Sequence, residues 1–109
     1  MEIKLDFDID DNVIKKILPA AIEKALEISA ILVQDAARDL VPVDTGNLKS
    51  SIQHEAEKEE AVVYTNVEYG PYVEYGTNKM KSQAYMRPAL YNNKKRIVEV
   101  FRKVLNDNL

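Results

Sequence analysis

Ile3, Leu5, Phe7 and Ile9 alternate with Lys4, Asp6, Asp8 and Asp10, the two-residue period of a half-buried strand. Aspartate is a poor strand former, so residues 1–10 read as an edge strand or extended arm. Asp10 or Asp11 offers an N-cap for a helical segment. From Asn12 to Val41 the period becomes helical. Ile14, Leu18, Ala21, Ile22, Ala25, Leu26, Ser29, Leu32, Ala36 and Leu40 follow i, i+3/i+4 steps along one face. Pro19 lacks a backbone donor, so the pattern predicts a short helical turn before it and a long helix beginning at or just before it. Ile28, Ile31 and Val33 lie off this stripe. Either the helix is buried on more than one side, or part of it is covered by another subunit.

Pro42 stops the helix, and Asp44-Thr45-Gly46 supplies turn chemistry. Asp44 and Thr45 can bond nearby backbone N–H groups and tie down the chain between the long helix and the hairpin. Their joint replacement by alanine is expected to cost about 1–3 kcal/mol, read as a lowered melting temperature. Asn47–Ser51 reads as one helical turn. Ile52, His54 and Ala56 alternate with Gln53, Glu55 and Glu57, and the β-branched run 61–67 comes after Lys58-Glu59-Glu60. Two strands about a charged turn predict an antiparallel hairpin guarded against edge aggregation. Pro71 and Gly76 bracket a short helix, 78–84 reads as a mobile loop, and a second long helix runs from Met86 or Arg87 to Leu105. Its stripe is Leu90, Ile97, Val98, Phe101, Val104 and Leu105. At this length the elements are expected to form a single domain over residues 1–109.

Composition removes several chemistries. The 109 residues contain no cysteine and a single histidine, His54, which excludes disulfide scaffolds, thiolate metal sites and His-rich metal motifs. His54, Asp44 and Ser50 or Ser51 do not spell a hydrolytic triad, because no nucleophile elbow is present. Glycines at 46, 70 and 76 cannot build a phosphate-cradling loop. No cofactor, metal or small-molecule substrate is expected. No signal-peptide core and no run approaching the roughly 20 apolar residues of a membrane span is present, so folding in a reducing cytoplasm is expected.

Charge is divided unevenly. Residues 1–78 carry 7 basic and 16 acidic side chains, and residues 79–109 carry 8 basic and 2 acidic, within an overall net charge of −3. Such a chain can neutralise itself, dock head-to-tail on a copy, or offer its basic end to phosphates. Lys94-Lys95-Arg96 would serve the last role or simply form a solvated helix face, since three consecutive side chains fan over about 200 degrees. The alternative to an assembly role is therefore a nucleic-acid-binding accessory protein using the basic C-terminal helix. Six tyrosines fall between 64 and 91: Tyr64, Tyr69, Tyr72, Tyr75, Tyr85 and Tyr91. They read as a partner-docking surface, a mixed core and rim, or a base-stacking platform.

Three segments in order resemble the tail-completion, or head–tail joining, proteins of long-tailed bacteriophages and prophages. Pro42-Val43-Asp44-Thr45-Gly46-Asn47-Leu48-Lys49-Ser50-Ser51-Ile52 is similar to the family's P-x-D-T-G-x-L-x-x-S-I turn. Tyr72-Val73-Glu74-Tyr75-Gly76-Thr77 is similar to Y-x-x-x-V-E-x-G-T, and Met86-Arg87-Pro88-Ala89-Leu90 to F-M-R-P-A. Where the family often has Gln-Pro-Phe, this chain has Gln83-Ala84-Tyr85, which predicts a softer loop. The resemblance implies a small α+β domain, two long helices packed on a short antiparallel sheet with a central hairpin, and a non-enzymatic structural protein of the virion neck, made in the bacterial cytoplasm. It implies assembly as a six-fold ring of its own copies between the head-completion protein and the tail tube, with no membrane or nucleic-acid partner. Under it, Tyr69, Tyr72, Val73, Glu74, Tyr75, Gly76 and Thr77 form part of the partner contact. Lys79, Lys81, Tyr85, Met86 and Arg87 complete it, while Pro42, Asp44, Thr45 and Gly46 shape the fold. Loop 78–84 would order on assembly.

Overall fold

A computed structural model of the chain describes residues 1–5, 19–42 and 46–107. The arm at 6–10, the cap at Asp10 or Asp11, the helical turn before Pro19, and Val43, Asp44 and Thr45 lie outside the described residues. The elements are β1 (Glu2–Leu5), α1 (Pro19–Leu40), α2 (Gly46–Ser51), β2 (Gln53–Ala56), β3 (Ala61–Tyr64), α3 (Gly70–Tyr75), α4 (Met86–Tyr91) and α5 (Lys94–Asp107). Pro19 opens α1, where its missing N–H costs nothing, and Pro42 lies just past its end.

The described strands form one antiparallel sheet in the order β1-β3-β2. Register places Leu5 and Ala56 on either side of Ala61, and Ile3 and His54 on either side of Val63. Leu5, Ala61 and Val63 turn into the core with Ile52 and Leu48, as the period of two requires. Between β2 and β3 the charged turn closes through the backbone of Glu57 and Glu60.

Helix α1 packs against β2 and β3 and also against α4 and α5. Its buried positions are Ala21, Ile22, Ala25, Leu26, Ser29, Ala30, Val33, Gln34 and Ala37, a stripe two residues wide. Val33 is therefore a core residue, a correction to its off-stripe placement, because the helix has neighbours on two sides. Ile28 and Ile31 do lie outside, 37% and 38% exposed. Leu40, expected on the buried face, is exposed at the helix end.

The second long helix is corrected to two, α4 and α5, broken at Asn92-Asn93. The buried Asn93 side chain donates from Nδ2 to the Ala89 carbonyl at 2.7 Å, taking the acceptor four residues back that its own N–H would use in a continuous helix. The Asn93 N–H turns to the Leu90 carbonyl instead. Ile97 and Phe101 anchor α5, whereas Val98 faces solvent.

Candidate partner-contact site

Helix α3 is six residues long and sits directly beyond the end of β3. Pro71 occupies its first turn, and Gly76 closes it with φ 78°. A Cβ on Gly76 would lie 2.8 Å from the Ser82 nitrogen and 2.9 Å from the Met80 oxygen, so both conformation and space require glycine. Thr77 then organises the returning loop. Its Oγ1 accepts from the Lys79 and Met80 N–H groups, and its own N–H donates to the Met80 carbonyl. Further along, the Gln83 N–H donates to the Val73 carbonyl at 2.8 Å. The loop that lacks the family's proline is thus fastened to α3 by its own backbone.

The decisive side chain is Glu74, a fully buried carboxylate. Oε1 accepts from the Tyr85 and Met86 N–H groups, each at 2.8 Å. Oε2 accepts from the Arg87 N–H at 3.1 Å and from Arg87 Nε at 2.8 Å. Arg87 also donates from a terminal nitrogen to the Glu74 carbonyl at 3.1 Å. One carboxylate therefore serves the unpaired N–H groups at the start of α4 and an arginine at once. Burial alone would raise its pKa, but the Arg87 bond and the three backbone donors outweigh it and hold the carboxyl below the usual range. The bond to Glu74 in turn raises the Arg87 guanidinium.

Tyr85 completes the base of the site. Its ring is buried, its hydroxyl donates to the Gly70 carbonyl at 2.9 Å, and burial first, then the Glu74 charge, push its pKa up to about 12. Gly70 fits closely here, since a Cβ would stand 3.0 Å from both Thr65 Cγ2 and the Tyr85 hydroxyl.

Not every residue expected at the contact reaches the surface. Val73, Glu74, Tyr85 and Met86 are interior, a correction to their placement at a partner contact, because the helix-to-loop junction needs them to bury its backbone donors. Gly76 is half-buried. Tyr69, Tyr72, Tyr75, Thr77, Lys79, Lys81 and Arg87 are exposed. Tyr72 and Tyr75 stand out at 57% and 61% exposure, and Tyr91 on α4 at 60%. The Arg87 guanidinium lies 4.6 Å from the Tyr75 ring centre, and the Lys94 ammonium 4.6 Å from that of Tyr91. Pro42 and Gly46 sit elsewhere, flanking the join of α1 to α2. Gly46 has open space where a Cβ would stand.

The partnership of Glu74 with residues 85–87 is not apparent from the sequence pattern. The available signal was a glutamate between the apolar Val73 and the aromatic Tyr75 of a short helix, with a lone arginine at the next helix start. His54 stands in β2 at the half-buried edge of the core, as its alternation suggests, but its partners are unforeseen. Its Nδ1 lies 2.7 Å from Gln34 Oε1 and its Nε2 2.9 Å from Glu27 Oε1, so it pins β2 to α1. Among the described residues no group of three or more histidine or carboxylate side chains is placed to hold a metal ion, and no helix is long and apolar enough to cross a membrane.

A family model described as "Bacteriophage HK97-gp10, putative tail-component" matches residues 6–76, from the N-terminal arm to the glycine that ends α3. No curated protein and no solved structure matches the chain. The match spans α1, the hairpin and the Glu74 helix, and the Arg87 segment that Glu74 holds lies just outside it. The chain belongs to the HK97-gp10-like family of bacteriophage tail components.

Proposed function

We propose that this tail component completes the tail end for attachment to the capsid, as a non-enzymatic ring of its own copies, six-fold when assembled. The ring sits in the virion neck between the head-completion protein and the tail-tube protein. Before that, the subunits wait in the host cytoplasm. The observation that carries this reading is the exposed Tyr72 and Tyr75 pair on a base fixed by buried Glu74. Large aromatic side chains on a rigid support bind with little loss of conformational freedom, which suits a contact surface better than a catalytic cleft. Family membership supplies the tail, and the resemblance of all three segments to head–tail joining proteins supplies the position.

Light scattering of the purified chain, alone and mixed with purified tail tubes, tests the proposal. A ring-sized mass on the tubes is expected, with loss of that mass for Tyr72→Ala/Tyr75→Ala. Tubes that take up none of the chain would overturn it.

A further inference from the structure

Tyr72, Tyr75 and Arg87 form an aromatic and cationic platform, rimmed by the exposed Lys79 and Lys81 of the loop that Thr77 folds back. At the other end of β3 lies the turn Glu57-Lys58-Glu59-Glu60, fully on the surface, with Glu23 of α1 beside it. Glu60 pairs within the chain to Lys4 at 3.3 Å. Among the described residues, Glu57, Glu59 and Glu23 have no such ion pair. The turn leads directly into Ala61, whereas α3 begins against Thr65, just past Tyr64. A four-residue strand, about 13 Å of rise, separates the two patches, so one subunit's turn does not meet its own platform.

From this arrangement we infer that the acidic β2–β3 turn of one copy docks on the Tyr72–Tyr75–Arg87 platform of the next. The inference rests on the ring assembly proposed above and names its two surfaces. Between these two patches, charge selects the mixed pairing over the like ones. Platform against platform would set Lys79, Lys81 and Arg87 against their own copies, and turn against turn would do the same with glutamates. Only the mixed contact brings opposite charges together, and tyrosine hydroxyls add donors for the carboxylates. A nucleic-acid occupant is less well served. One face of Tyr75 is already covered by Arg87 and one face of Tyr91 by Lys94, and the whole chain carries net −3. Because the two patches differ and lie apart, each docking event leaves a free turn and a free platform. That is the condition for a head-to-tail ring or filament.

The absence of cysteine allows a direct test. Lys58→Cys and Asn78→Cys chains, exposed neighbours of the two patches that leave their glutamates and tyrosines intact and each confirmed folded by circular dichroism, are treated with a short bis-maleimide separately and as a mixture, in free solution and on purified tail tubes. The mixture should give cross-linked dimers in at least about tenfold excess over either variant alone. That excess should vanish when Lys79→Glu/Lys81→Glu is added to the Asn78→Cys chain, and should fall at ~1 M salt, where screening acts within about 3 Å. Equal yields with and without mixing, or yields unmoved by the charge reversal, would overturn the contact. So would a fluorescent single-stranded oligonucleotide that binds the wild-type platform, is lost on the same reversal, and is accompanied by no cross-linking. A ring-sized mass on tail tubes without the 58–78 cross-link would reject this contact while leaving the ring itself standing.

Discussion

The two ends of β3 close in opposite ways. Toward the platform, the ion pair of Glu74 with Arg87 has a fully buried carboxylate that also takes three backbone N–H groups. Toward the hairpin turn, Lys4 and Glu60 pair at 3.3 Å with both side chains more than half exposed. The chemical groups are alike, but their worth is not. Water competes for the Lys4–Glu60 pair and screens it, whereas nothing but the protein can serve the donors that Glu74 satisfies. The buried end is thus a fixed base, and the exposed end remains available to partners.

Breaking the buried end should have the largest consequence. Glu74→Ala leaves three backbone donors and the Arg87 Nε without their acceptor and should lower unfolding stability by about 3 kcal/mol in urea denaturation. The lower part of the range for buried pairs applies, because the Arg87 side chain is 46% exposed and recovers water. The same carboxylate predicts an acid limb. Its folded pKa lies below the ordinary 4.5, so its contribution is complete above that value and is lost as pH falls through the depressed folded one. The melting-temperature gap between wild type and Glu74→Gln should therefore narrow as pH drops below 4.5, and a constant gap down to strongly acid pH would contradict the assignment.

Next in size is Gly76→Ala. It forces a Cβ onto a φ of 78° and against the backbone of Met80 and Ser82, and should cost about 2 kcal/mol by thermal unfolding. Tyr85→Phe restores the aromatic of the family pattern but removes the buried hydroxyl's bond to the Gly70 carbonyl, so a loss of about 1 kcal/mol is expected. The smallest effect sharpens the contrast: Lys4→Met should change stability by no more than about 0.5 kcal/mol at the other end of the strand.

Much of the architecture comes from periodicity and turn chemistry. The alternation at residues 3–5 and 52–56 yields strands where polar and apolar positions alternate. Pro19 and Pro42 bracket α1 because proline is tolerated at a helix start and not within one. Glu57-Lys58-Glu59-Glu60 is a turn, as a short charged link between two such runs must be. The break at Asn92-Asn93 is invisible to periodicity because Leu90 and Ile97 keep helical phase across it. The folded chain reveals it through the Asn93 side-chain bond to Ala89 and the shift of the Asn93 N–H to the Leu90 carbonyl. Val33 falls off any single stripe for a related reason, since its helix has neighbours on two sides.

The site divides along the same line. Lys79 and Lys81 are legible as surface from residue type alone, but residue type does not separate exposed Tyr72 and Tyr75 from buried Tyr85, and Glu74 carries no local mark of being interior. Residue order and local chemistry determined which segments become helix, strand and turn, and where the charges fall along the chain, because those properties depend on neighbours a few positions apart. Which carboxylate is buried and which helix start it serves were decided by tertiary packing alone. Burial and hydrogen-bond partners across 11–13 residues exist only once the chain has folded back on itself.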